Sequence, residues 1–167
     1  MLKPTEATPV HFLLRVPLRT RANGDLIPTV EAHSEILEAK GAVAFGKFGA
    51  AIEQSTIDRL TKQIKDGTKT FLILAAKSGP IFLGFEAEVS EIRGGKLGPE
   101  LSAVTPPYYA KLYDEPAVWF ILRGHFSVSD LSSFRLWTKK RPLLDVMSET
   151  RTSAMVVEVA PPRHLPR

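Results

Sequence analysis

The chain has 167 residues, 44% of them hydrophobic and 24% charged, enough to bury a core of its own without disulfides or metals. It holds no cysteine, which excludes a disulfide framework, a thiolate zinc site and a cysteine nucleophile, and no apolar run approaches the roughly 20 residues that span a bilayer. The net charge is +4, and from Arg135 onward there are 7 basic and 3 acidic residues while the signs balance before it, a placement that suits an anionic partner, nucleic acid first.

Residues 1–10, with two prolines and little apolar content, read as a flexible leader without the pattern of a signal peptide, so a soluble, cytoplasmic protein with no membrane partner is expected. One domain over residues 11–159 follows. His11 to Leu18 reads as a strand that ends near Pro17, which cannot donate to a ladder. Arg19 to Pro28, around Asn23-Gly24-Asp25, reads as a turn or loop, and Val30 to Ala39 as a helix closed by Lys40-Gly41. Ala42 to Ala51 begins as an apolar strand and dissolves into glycines and aromatics. Ser55 to Asp66 has the strongest helical pattern: Ser55 at the N-cap, Asp58 at the capping-box position, Ile57, Leu60 and Ile64 on one face, and Gly67 beyond its end.

Thr70 to Ile92 organises the rest. Phe71 to Ala76 is a continuous apolar run, the mark of a strand covered on both faces, and Lys77-Ser78-Gly79-Pro80 supplies turn chemistry. The second arm alternates, so Ile81, Leu83, Phe85, Ala87 and Val89 are expected to face the core. Arg93 to Pro107 reads as a long loop leading into a segment that gathers Tyr108, Tyr109 and Tyr113. Ala117 to Arg123 reads as a buried strand, and Ser127 to Phe134 as a short helical turn capped by Ser127 or Ser129. Arg135 to Arg151 reads as a basic, proline-broken connection containing Trp137, Ala154 to Val159 as the closing strand, and residues 160–167 as a flexible tail or linker. The expected fold is α+β, a small, strongly bent mixed barrel of five or six strands flanked by two or three helices.

Catalytic chemistry finds little material. His11, His33, His125 and His164 are scattered without metal-ligand spacing. Glu86 and Glu88 stand two apart without the lysine a nuclease site would add, and Gly94-Gly95-Lys96-Leu97-Gly98 lacks the hydroxyl residue of a phosphate-binding loop. A non-enzymatic protein without metal or cofactor is therefore expected. Aromatic and basic residues make the stronger set, because bases stack on rings while Lys and Arg neutralise phosphates. The rings are Phe45, Phe48, Tyr108, Tyr109, Tyr113 and Trp137, and the cations Lys47, Lys111, Lys139, Lys140, Arg141 and Arg151. Two readings compete with this one: core packing for each ring, and a tyrosine-rich loop that contacts another protein.

Three stretches, GAVAFGKFGAAI, FLILAAKSGPIFLGFEAEVSEI and AVWFILRGHFSVSDLSSFRLWTKKRPLLDVMSETR, resemble parts of the YTH and EVE domains, PUA-like barrels that read modified bases in single-stranded RNA or flipped out of DNA. The likeness implies a base pocket around Val43 and Phe45 with a wall from the tyrosine loop, and backbone contacts from Lys140, Arg141, Ser148 and Arg151. Phe45 stands near the place where YTH domains carry a tryptophan, and the tyrosine loop has none. The expected partner is thus DNA or single-stranded RNA carrying a modified base, with a fused or associated nuclease or NTPase component of a modification-dependent restriction system.

Overall fold

The computed structural model describes residues 8–161, so most of the expected leader and tail, His164 included, lies outside the described residues. The chain is an α+β protein. Its elements are β1 (Val10–Val16), β2 (Arg19–Ala22), β3 (Asp25–Pro28), α1 (Thr29–Lys40), β4 (Ala42–Lys47), α2 (Gln54–Lys65), β5 (Phe71–Ser78), β6 (Ile81–Gly94), α3 (Pro99–Ser102), β7 (Val118–Ser129), β8 (Phe134–Leu136), α4 (Leu143–Glu149) and β9 (Ala154–Val159), with 3-10 turns at Pro107–Lys111 and Leu131–Ser133. Seven strands form one mixed sheet in the order β4-β7-β6-β5-β1-β9-β8, and β2 and β3 form a separate ribbon. Among the described residues only β1 and β5 run parallel.

The expected barrel of five or six strands is replaced by an open sheet of seven, neither closed nor strongly curled, with four helices among the described residues. The reason lies in β1. It hydrogen-bonds β5 on one side and β9 on the other, and β9 carries β8 beyond it, so no ladder joins β1 to β4 and both edges stay free of one another.

Leu72 to Ala76 are buried on both faces, as their apolar run predicts, and Gly79 takes a φ of 60° that the two-residue Gly-Pro hairpin turn requires. In β6 the alternation holds in part. Ala87 and Val89 are buried and Phe85 packs against the same core, but Ile81 and Leu83 are 58% and 36% exposed beside the turn, outside the core clusters. Bulges between Glu86 and Glu88 and between Val89 and Glu91 then shift the register, which brings even-numbered Ile92 to the core that Val89 faces.

Several boundaries differ from expectation. Asn23 and Gly24, at φ 47° and 87°, make the expected turn, but the residues on either side of it pair as the ribbon β2–β3 where only a turn or loop was expected. Helix α2 starts one residue before Ser55, because the N–H groups of Thr56 and Ile57 donate to the Glu53 carbonyl; Asp58 accepts from Gln54 instead of closing a capping box. Ser127 and Ser129 belong to β7, and Asp130 caps the following turn by accepting from the Ser132 N–H and hydroxyl. The expected connection 135–151 contains β8 and α4, with Pro142 at the N-cap of the helix and Leu143, Val146 and Met147 on its buried face.

Both faces of the sheet are covered. Phe12, Leu14, Leu72, Leu74, Phe45 and Phe120 pack on one face with Leu37 of α1 and Leu60 of α2; Leu60 alone in α2 is buried, which stabilises its docking by roughly 1.5–3 kcal/mol. Leu13, Ile73 and Val157 pack on the other face against Leu143 and Met147 of α4. A smaller cluster joins Ala44, Trp119 and Ile121 to Leu97, Leu101 and Tyr109.

Candidate functional site

The ends of β1 and β4 and the 3-10 turn at Pro107–Lys111 enclose a cavity of about 260 Å³, and Phe45, Phe48, Tyr108, Tyr109, Arg15 and Lys47 are among its walls. Period-two alternation in β4 puts Val43, Phe45 and Lys47 on one face; Val43 is fully buried in the core, while Phe45 and Lys47 reach the cavity. Tyr108 and Tyr109 stack at 4.6 Å between centroids and 20° between planes, and Phe48 lies nearly parallel to Tyr109 at 6.1 Å and 11°. Behind them His33 faces Phe45 at 4.2 Å.

A hydrogen-bond chain fixes this wall. The Gly46 N–H donates to the Tyr109 hydroxyl (3.0 Å), the Tyr109 O–H donates to His33 Nε2 (2.7 Å), and His33 Nδ1–H donates to the Thr29 carbonyl (2.7 Å). That direction of donation demands a neutral imidazole, consistent with burial pushing the His33 pKa down to about 4 and holding the Tyr109 phenol well above its ordinary range. Position 46 must be glycine for packing reasons as well, since a Cβ there would lie 2.5 Å from Pro116 Cγ.

Two cations stand in the cavity walls without a carboxylate among the described residues. Lys47 is only 7% exposed; its ammonium donates to the Ala50 carbonyl and to the Phe48 carbonyl (3.3 Å), and burial lowers its pKa. Arg15 donates from Nη1 to the Thr150 carbonyl (2.6 Å) and from Nη2 to the Met147 carbonyl, which caps the C-terminal end of α4; its Nε–H is buried without an acceptor, and its guanidinium lies 5.2 Å from the Phe82 ring centroid. Arg15, Val16 and Pro17 also line a neighbouring groove of about 470 Å³ that includes Lys77, Ser148 and Arg151.

The structure thus brings together Phe45, Phe48, Tyr108, Tyr109 and Lys47, with Ser148 and Arg151 in the adjoining groove. It separates others. Trp137 packs under the Arg59 guanidinium at 4.6 Å, on the edge of the main core. Tyr113 is fully exposed and lines a different cavity of about 550 Å³ with Trp119, Lys96, Asp114 and Glu115; Tyr109 is the wall common to both cavities. Lys140 and Arg135 (3.1 Å) bind the buried Glu158 carboxylate, and Arg141 binds Glu149 at 2.5 Å, while Lys139 is exposed and lines neither the cavities nor the groove. Arg15, Lys77 and Ser153 were not anticipated, although an arginine inside the apolar run HFLLRVP is a signal in itself.

Among the described residues no cluster of three or more His, Asp or Glu side chains could hold a metal, and no helix is long and apolar enough to cross a membrane. Glu88 is bound to Arg123 at 2.8 Å, and His11, like His33, is buried, with burial holding its pKa down to about 4. Comparison with protein-family models, curated proteins and solved structures finds no match to this chain.

Proposed function

We propose that this protein is a non-enzymatic reader of DNA or single-stranded RNA, holding one modified, methylated base in the cavity of Phe45, Phe48, Tyr108 and Tyr109, as in the YTH and EVE domains that its sequence resembles. The supporting observation is the joining of this aromatic cavity, with its carboxylate-free Lys47 and Arg15, to a groove carrying Lys77, Ser148 and Arg151. Extruding a base costs a few kcal/mol, and stacking returns about 1–3 kcal/mol per base. A methyl group adds roughly 0.8 kcal/mol of apolar contact if buried. The strand's phosphates then follow the basic groove. In this reading the chain targets a nuclease or NTPase partner to modified nucleic acid.

The test is a binding panel of oligonucleotides that differ only in one base modification, titrated at two salt concentrations. Tighter binding of a modified strand than its unmodified twin, weakening steeply with salt, is the expected result; equal affinity throughout would refute the reading. A second reading, a module that contacts another protein, draws on full exposure of Tyr113 beside Trp119 and the carboxylates of Asp114 and Glu115. Binding to a protein mainly through the Tyr113 ring would show little response to salt.

A further inference from the structure

We infer that the base admitted to this cavity carries a ring carbonyl oxygen that accepts a hydrogen bond from Lys47, which makes Lys47 a specificity-determining residue. The inference rests on the base-reading proposal and names the class of base. An ammonium has three donors and no acceptor. Two of the Lys47 donors go to the Phe48 and Ala50 carbonyls, which leaves one without a partner among the described residues in a side chain that is almost wholly buried and lines the cavity. The Arg15 Nε–H is a second buried donor without an acceptor.

Three hydroxyls of the wall are already engaged. The Tyr109 hydroxyl accepts from Gly46 and donates to His33, and the Thr20 and Thr29 hydroxyls bond to one another at 2.8 Å. The capacity that Lys47 and Arg15 leave unfilled is therefore that of a donor, and the matching ligand edge is an acceptor. Guanine presents O6 beside N7 and uracil or thymine presents O4, whereas adenine has no carbonyl and sets an amino donor beside N7. An adenine edge offers Lys47 only the ring nitrogen N7 and sets its amino donor against the same cationic wall, a poorer match than a carbonyl oxygen.

The experiment compares wild-type protein, Lys47→Met and Lys47→Gln on otherwise identical oligonucleotides carrying 5-hydroxymethyluracil, N2-methylguanine or N6-methyladenine, each beside its unmodified parent. Wild-type protein is expected to bind the two carbonyl-bearing bases about tenfold tighter than N6-methyladenine. Lys47→Met is expected to bring the three close to parity, and Lys47→Gln, which keeps an N–H donor, to retain part of the ratio. Melting temperatures confirm that each variant is folded; Lys47→Gln also supplies a donor for the carbonyls that Lys47→Met leaves bare. Equal or tighter binding of N6-methyladenine, with preference over unmodified adenine intact, would overturn the inference and leave base reading standing. A ratio unchanged in both variants would overturn the role of Lys47. Failure of every modified strand to exceed its parent would remove the base-reading proposal and this inference together.

Discussion

Two cavities share the Tyr109 ring and differ in almost everything else. The smaller is walled by buried and half-buried rings and by two cations, Lys47 and Arg15, that no carboxylate neutralises among the described residues. The larger exposes Tyr113 completely and is lined by Asp114 and Glu115 as well as Lys96. Rings alone therefore do not identify where a nucleotide binds. On the proposed reading charge does: like charges 4 Å apart repel by about 1 kcal/mol even in water, which favours the side of Lys77 and Arg151 over that of Asp114 and Glu115 for a phosphate.

The contrast can be broken in order of effect. Phe45 belongs at once to the main core and to the smaller cavity, so Phe45→Ala is expected to cost roughly 3–5 kcal/mol of stability, read by urea denaturation, whereas Tyr113→Ala in the larger cavity is expected to stay within about 0.5 kcal/mol. Unchanged stability in Phe45→Ala would remove Phe45 from the core. Acid is the next lever. His33 has a folded pKa near 4, below its unfolded value, so the unfolded chain binds more protons between pH 6.5 and 4; the stabilisation is present above pH 6.5 and is lost as pH falls to 4. The loss is about 3 kcal/mol, checked as the difference in pH dependence between wild-type protein and His33→Gln. His11 acts in the same direction and contributes equally to both proteins.

Smaller effects sharpen the assignment of roles. Phe48 is half-buried outside the core clusters, and Phe48→Ala is expected to weaken modified-base binding by about 1–3 kcal/mol, measured by fluorescence anisotropy, with little change in melting temperature. Arg151→Ala is expected to weaken modified and unmodified strands alike and to reduce the slope of log affinity against log salt by about one. Glu115→Gln on the other rim should leave that slope unchanged or make binding slightly tighter; a loss of affinity there would place the nucleic acid in the larger cavity.

Local features were legible in the sequence and distant partnerships were not. The Gly-Pro turn, the apolar run of β5 and the Ala154–Val159 strand each declare themselves within a few residues. Helix α4 does not, because its seven residues follow a basic stretch and a proline that read equally well as a break. Whether the sheet closes depends on β1 choosing β9 as its second neighbour, a pairing across most of the chain. The site divides in the same way. Phe45, Lys47 and Phe48 stand out as rings and a cation among glycines. The work of Arg15 is set by carbonyls 132 and 135 residues away, and the engagement of Lys140 and Arg141 by carboxylates brought to them through folding.

The outer edge of β4 has a consequence for self-association. An edge strand ordinarily presents a row of free N–H and C=O groups to which a second molecule can add. Here the Ala44 N–H is taken by the Val104 carbonyl (3.0 Å) and the Gly46 N–H by the Tyr109 hydroxyl. The opposite edge, β8, is three residues long, and Arg135 within it is bridged to Pro142. The segments that frame the two cavities thus also shield the sheet from strand-to-strand aggregation, so loosening the Pro107–Lys111 turn would expose a template for polymerisation as well as open the cavities.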